Sequence, residues 1–504
     1  MKTKSSIKNF IASMSCNIVV IISGLIAQAI FIKILGAEYL GINGLFTNII
    51  SMLGIVELGI GNAIIYNLYK PLVKKDYKTI NSLMKFYKNA YHAIAIIVFI
   101  LGMCVIPFLS FFVGKNSLDI NITFVYILFI LDIVCSYILS YKRSILYADQ
   151  KNYIINIIHM LYYVILNTSQ LLVLYITKNY YLYLVIKIVM RLLENIVITL
   201  YVNKKYTYIN TKDALKLKKD IIDDIIKKVK ALFFHKIGGF IVLGTDNLII
   251  SKFLGLITVG MYSNYYLIID ALDKLFGQAI KALTPSVGHM LVTDSKEKVY
   301  KVFKKIRFAN FWIATFSGTS LLVIMSSFIT IWVGKKYLLS IYVLITLVFN
   351  YYQKMMRNSY MTFKEAAGIY HEDRFVPLIE STINIIASIV FVKLIGLPGV
   401  FIGTIISGLS LWCFSYPKFV YKNLFQRKYI DYIKETIGYI LLFIIIASIT
   451  YITATSITIN NNYIEFIKNC IISLIIPNIL IIIIFYKTDN FKYYKNLLFK
   501  IINK

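Results

Sequence analysis

The chain is 504 residues long, 59% of them hydrophobic, with a mean hydropathy of +0.72 and a formal net charge of +30. Apolar content this high excludes a water-soluble globule, because too few polar side chains remain to cover the surface. A net charge this basic would suit nucleic acid only if the cations shared one soluble face, and their placement shows that they do not.

A helix needs about 20 mainly apolar residues to cross the hydrocarbon core, and the sequence predicts fourteen such spans in an all-α polytopic membrane protein. The first six lie near 10–34, 40–68, 90–113, 122–141, 154–177 and 181–202, giving an amino-terminal bundle over 1–202. The basic start and the small residues Ala27 and Ala29 imitate a secretory signal, but the apolar run is too long for one and cleavage is not expected. Within span two, "VELGIGNAIIYNLYKPLVKKDY" places Glu57 among glycines and aliphatic residues.

Residues 203–230 read as a cytoplasmic linker, in which Ile221, Ile222, Ile225, Ile226 and Val229 recur at helical spacing against Lys and Asp. That pattern predicts an amphipathic helix lying in the membrane interface. Six further spans near 231–254, 256–283, 308–334, 340–363, 374–395 and 397–420 form a second bundle over 231–420. Two more, near 436–457 and 464–486, complete the set.

With the amino terminus on the cytoplasmic side, alternate loops and the two tails hold 43 of the 54 Lys and Arg. This asymmetry is the positive-inside signal of a bacterial cytoplasmic membrane protein with both termini inside. No nucleic-acid partner is expected. The five cysteines lie in or beside spans without paired spacing, so neither a disulfide framework nor a metal site is expected.

Shifting the chain by 219 residues aligns "KILGAEYLGINGLFTNII" from Lys33 with "KFLGLITVGMYSNYYLII" from Lys252. Identities fall at Leu35 and Leu254, Gly36 and Gly255, Gly41 and Gly260, among others. Each copy is the short turn joining the first two spans of its half, and the offset keeps span direction. The halves are therefore expected to be parallel repeats.

Those stretches, with "ELGIGNAIIYNLYKPLVKKD" and "ALFFHKIGGFIVLGTDNLIISKFLGLITVGMYSNY", resemble the polysaccharide transport family of the MOP superfamily, the Wzx-type oligosaccharide flippases. The resemblance spans essentially the whole chain. It implies a MATE-like fold, two pseudo-symmetric six-helix bundles around a central cavity plus two carboxyl-terminal helices. The implied cargo is an undecaprenyl-diphosphate-linked oligosaccharide, flipped by alternating access for surface polysaccharide synthesis. Membrane lipids, a polymerase and glycosyltransferases are the partners it suggests.

A charge at mid-bilayer needs a partner, a wet cavity or a function. Lys187 and Arg191 in span six project from one helical face, and an ammonium beside a guanidinium fork suits a diphosphate. Glu194, three residues on, leaves the alternative that it simply neutralises Arg191. Span eight places Asn264, Lys274 and Gln278 on one face, with Asp270 able to pair with Lys274 and Asp273 unassigned. Together with Lys236, the residues Lys187, Arg191, Asn264, Lys274 and Gln278 are the candidate substrate contacts.

Glu57, Asp246 and Asp273 are candidate coupling or lobe-interface acids, each with a structural alternative as a hydrogen-bonded packing group. A coupling H⁺ or Na⁺ is the one small ion considered, and no other cofactor is expected. A cation-coupled exporter of small molecules is the alternative, weakened because span one offers Asn17, Ser23 and Gln28 but no acid. The outer loops are too short to hold a catalytic cluster and no P-loop is present, so the chain reads as a transporter rather than an enzyme.

Overall fold

The computed structural model describes residues 2–57, 60–114, 118–211, 214–217, 219–369 and 372–502; inside its helices, the side chains at 2–12, 62, 227–228, 230–243 and 501–502 lie outside that description. The described residues form helices and short connections without strands. Lipid offers no partner to an unpaired backbone group, so the helices satisfy most of their N–H and C=O groups internally and side chains take the groups left at their ends.

Two compact units divide the chain, Met1–Gly260 and Met261–Lys504. The first holds α1 (Lys2–Leu35), α2 (Ala37–Leu53), α3 (Ile60–Lys74), α4 (Tyr77–Val105), α5 (Leu109–Val113), α6 (Ile122–Tyr137), α7 (Arg143–Ala148), α8 (Asn152–Thr177), α9 (Tyr180–Lys205), α10 (Lys219–Leu254) and the first turn of α11 (Leu256–Lys281). The second holds the rest of α11, α12 (Thr284–Thr293), α13 (Lys296–Trp332), α14 (Ile341–Ala366), α15 (Val376–Ile395) and α16 (Leu397–Ser410). It continues through a π-helical segment (Leu411–Leu424) to α17 (Tyr429–Ser456), α18 (Asn462–Phe485) and α19 (Asp489–Ile502).

Among the described residues, ten helices are long and apolar enough to cross a membrane. The other expected spans correspond to α9, α10, α11 and α14, of 26, 36, 26 and 26 residues. These four carry much of the interior charge: Lys187, Arg191 and Glu194 on α9, Asp246 on α10, Asp270, Asp273 and Lys274 on α11, Lys354 and Arg357 on α14.

The linker differs from expectation. Its amphipathic stretch is no separate interfacial helix; it is the beginning of α10, which runs unbroken to Leu254. Ile225 is buried, and Ile221 and Val229 pack partly buried against a core that includes Ile64, Leu68, Leu83 and Ile145. The Ile221, Ile225 and Val229 edge of the stripe faces protein where α10 docks on α3, while Ile226 stays 43% exposed.

The repeat is present in three dimensions. Gly36, between α1 and α2, and Gly255, between α10 and α11, both adopt left-handed backbone, with φ of 92° and 87°. One turn further on, a β-carbon on Gly41 would lie 2.0 Å from the Leu256 carbonyl oxygen, and one on Gly260 would lie 1.9 Å from that of Ala37. The 219-residue offset relates Ala37 to Leu256 as it does Gly41 to Gly260. The contact is therefore reciprocal, as a two-fold relation between the two turns requires.

Candidate functional site

The first unit contains a cavity of about 270 Å³ whose walls come from α1, α2, α8 and α9. Gly24, Ala27 and Gln28 line it from α1, Asn43 and Thr47 from α2, and Lys187 and Arg191 from α9. Local chemistry fixes these helices. Asn179 caps α9, its side chain accepting from the N–H groups of Tyr181 and Leu182 at 2.9 and 3.2 Å, and Asn121 caps α6 from Phe124 at 2.9 Å. Asn167 donates to Ser23 at 2.8 Å and Tyr180 donates to Asn43 at 2.9 Å, tying α8 to α1 and α9 to α2.

Behind the cavity wall stands a carboxylate from a different span. Asp132 on α6 receives Lys187 Nζ on one oxygen at 3.1 Å and Arg191 Nε on the other at 3.4 Å. Arg191 also lies over the Tyr162 ring at 5.3 Å, and Lys187 over Phe129 at 4.8 Å. Both bases thus reach the cavity in a fixed pose, with about a quarter of each side chain exposed. Asp132 and Glu194 are shared among Lys187, Arg191 and Arg143, so three cations against two carboxylates leave one positive charge in the cluster at and behind the wall. Among the described residues lining the cavity there is no Asp or Glu.

Glu194 pairs with Arg191, as its spacing allowed, and has two nearer partners besides. It stands 3.6 Å from Arg191, while Arg143 lies closer at 3.1 Å and His159 Nδ1 at 2.9 Å. Its side chain is fully buried, so these partners hold a charge that would otherwise be costly. Arg143 also donates to Asn195 at 2.8 Å, and Asn195 donates to the carbonyls of Cys135 and Ile138 at 3.0 and 2.8 Å. That amide satisfies the open carboxyl-terminal end of α6, just before Leu139 turns left-handed at φ 65°.

The remaining sequence-derived residues lie elsewhere. Lys274 pairs with Asp270 at 2.6 Å, as its spacing predicted, with 64% of its side chain exposed. Asn264 is fully buried and Gln278 exposed, so the polar face of α11 meets several environments along its length. None of the three lines the cavity. Asp273, unassigned from sequence, pairs with Lys354 on α14 at 2.9 Å. Asp246 is half-buried on α10, and the side chain of Lys236 falls outside the described residues.

Glu57 ends a short 3-10 turn, Gly54–Glu57, beyond α2. Its carboxyl accepts a hydrogen bond from Tyr91, which in turn accepts one from Tyr87 at 2.9 Å. Gly61 of that stretch has a use here: a β-carbon on it would come within 2.9 Å of the Tyr87 hydroxyl and 3.3 Å of the Glu57 carboxyl.

Asp132 is the functional residue that sequence reasoning missed as a partner, because no local spacing links α6 to α9. Arg307 is another surprise. Counted among loop charges, it lies inside α13 and is 1% exposed, donating to Tyr421 and Glu435 at 2.5 Å each beneath the rings of Tyr360 and Tyr439. Lys354, Arg357 and Lys364 likewise belong to α14, with Arg357 paired to Glu380 at 2.8 Å and Lys364 to Asp373.

A helical, multi-pass architecture with a polar cavity buried in a bundle defines the class, a membrane protein of transporter fold. The family model described as polysaccharide biosynthesis protein matches residues 6–290, more than half of the chain, and the chain belongs to that family. No curated protein matches it. Among solved structures it is similar to the lipid II flippase MurJ in an inward closed conformation, at 14% identity and a TM-score of 0.68, covering 98% of this chain and 100% of that one. An inward-facing multidrug resistance MATE family transporter of the MOP superfamily follows at 16% identity and TM-score 0.62, covering 79% and 94%. A Vibrio cholerae MATE transporter gives 12% and 0.56, covering 84% and 99%. At these identities the likeness establishes the fold.

Proposed function

We propose that the protein flips an undecaprenyl-diphosphate-linked oligosaccharide across the bacterial cytoplasmic membrane by alternating access, its termini on the cytoplasmic side, in surface polysaccharide synthesis. The family supports the pathway and the MOP-type fold supports the movement. The observation that carries the substrate class is the cavity wall formed by Lys187 and Arg191, held from behind by Asp132 and, more distantly, by Glu194, with no Asp or Glu among the described residues that line the cavity. Such a wall attracts a phosphate group and repels the organic cation that the exporter reading requires. Charge-assisted bonds to phosphate oxygens come from the planar fork of Arg191 and the point charge of Lys187. Amides and hydroxyls of Gln28, Asn43, Thr47 and Tyr163 complete a surface suited to sugar hydroxyls. In this reading Glu57, Asp246 and Asp273 are the candidate acids for coupling transport to H⁺ or Na⁺.

Flipping of a fluorescent undecaprenyl-diphosphate saccharide, reconstituted at equal protein levels, tests this. Arg191→Gln and Lys187→Gln should each lower the rate by about tenfold or more, the equivalent of one lost charge-assisted contact. Arg191→Lys should also lose rate, because charge remains but the fork does not. Restored flipping in Arg191→Gln/Asp132→Asn would reduce the pair to a structural ion bridge and defeat the phosphate reading.

A further inference from the structure

A groove of about 650 Å³ opens on the second unit where α15 begins, the π-helical segment runs and α17 begins. It is mostly apolar below and basic above. Cys413, Phe414 and Tyr429 form its apolar part, with Phe414 70% and Tyr429 51% exposed. Four-residue steps along the π-helical segment then bring Lys418 and Lys422, both exposed, to the rim beside Glu372. Loops at this end carry the lysines and arginines that the charge asymmetry assigns to the cytoplasm.

We infer that this groove is a binding site for a monoanionic phospholipid of the cytoplasmic leaflet. The polarity runs in the order of such a lipid, hydrocarbon against Phe414 and phosphate between Lys418 and Lys422. Lysine stems lie along apolar surface while their ammonium groups reach the headgroup level. Two lysines and one glutamate leave a single positive charge at the rim, which matches one phosphodiester and not a diphosphate. The volume is that of a small-ligand site, enough for the headgroup and the adjoining part of the acyl chains. This site is separate from the cavity of the first unit and does not depend on the function proposed for it.

The test is native mass spectrometry of the full chain, released from micelles holding equal phosphatidylglycerol and phosphatidylcholine. At roughly fivefold for the one net positive charge near an anionic headgroup, phosphatidylglycerol should be retained about fivefold over phosphatidylcholine at low salt. Lys418→Gln/Lys422→Gln should abolish that preference, and Lys335→Gln/Lys336→Gln should keep it. A readout without substitution is the alkylation rate of Cys413 in the native chain, resolved by peptide mass, which phosphatidylglycerol should slow and phosphatidylcholine should not. Equal retention of the two lipids, a preference that survives loss of both lysines, or protection of Cys413 by undecaprenyl phosphate but not by phosphatidylglycerol would each overturn the assignment.

Discussion

Gly41→Ala tests the reciprocal turn contact most directly, because two effects of opposite sign meet there. Within a helix, alanine is favoured over glycine by about 1 kcal/mol. The added β-carbon, however, would lie 2.0 Å from the Leu256 carbonyl oxygen, and contacts under 3.0 Å are essentially never seen. The obstacle is backbone, so relief requires α2 and the start of α11 to separate by roughly 1 Å rather than one side chain to swing aside. Overpacking of this kind costs typically 1–3 kcal/mol, and a rigid neighbour puts this case at the upper end. The net expectation is destabilisation by about 2 kcal/mol. Gly260→Ala should cost the same, its β-carbon lying 1.9 Å from the Ala37 oxygen. One separation relieves both clashes while each alanine keeps its helix preference, so the double variant should cost only about 1 kcal/mol and not the sum of about 4, a coupling of about 3 kcal/mol. Gly438→Ala on α17 is the control: nothing lies within 4 Å of its β-carbon, and it should gain stability. Equilibrium unfolding of the four proteins in one mixed-micelle system measures each difference. If Gly41→Ala were as stable as Gly438→Ala, or if the two alanines added independently, the reciprocal backbone contact would be refuted.

Asp132→Asn should have two separable effects: stability falls by roughly 1–3 kcal/mol as Lys187 and Arg191 lose their shared partner, while inorganic pyrophosphate binds more tightly by calorimetry because the opposing charge is gone. Weaker pyrophosphate binding would place Asp132 in the anion site itself. Glu57→Gln keeps an acceptor for Tyr91 but cannot titrate, so unfolding in micelles should change by less than about 1 kcal/mol while proton-driven flipping is lost; full flipping would make Glu57 a packing residue. A cysteine in place of Lys216, which is exposed between α9 and α10, should resist an impermeant thiol reagent in intact cells, and rapid labelling from outside would invert the topology.

Much of this architecture is legible in the sequence because the membrane makes strong local demands. Apolar runs of span length, the Lys and Arg asymmetry and capping residues such as Asn121 and Asn179 each act through neighbours along the chain. The repeat was visible for the same reason: Gly36 and Gly255 hold a left-handed turn, and Gly41 and Gly260 admit a backbone, so each position tolerates little else. The i, i+4 pairing of Asp270 with Lys274 follows from helical geometry alone.

What the tertiary structure decided is which charges meet across helices. Arg191 keeps its sequence neighbour Glu194 at 3.6 Å but gains Asp132 from α6 at 3.4 Å, while Glu194 is shared with Arg143 and His159. Asp273 meets Lys354 on another helix, and Arg307, nominally a loop cation, is enclosed by α17 and four tyrosine and threonine side chains. The apolar stripe of Ile221, Ile225 and Val229 could equally have faced lipid, and the docking of α10 on α3 turned it inward. A helix's own periodicity fixes which side chains share a face, but the partner of that face is set by packing between segments far apart in sequence, and in a low-dielectric interior an ion pair forms with whichever charge that packing brings within reach.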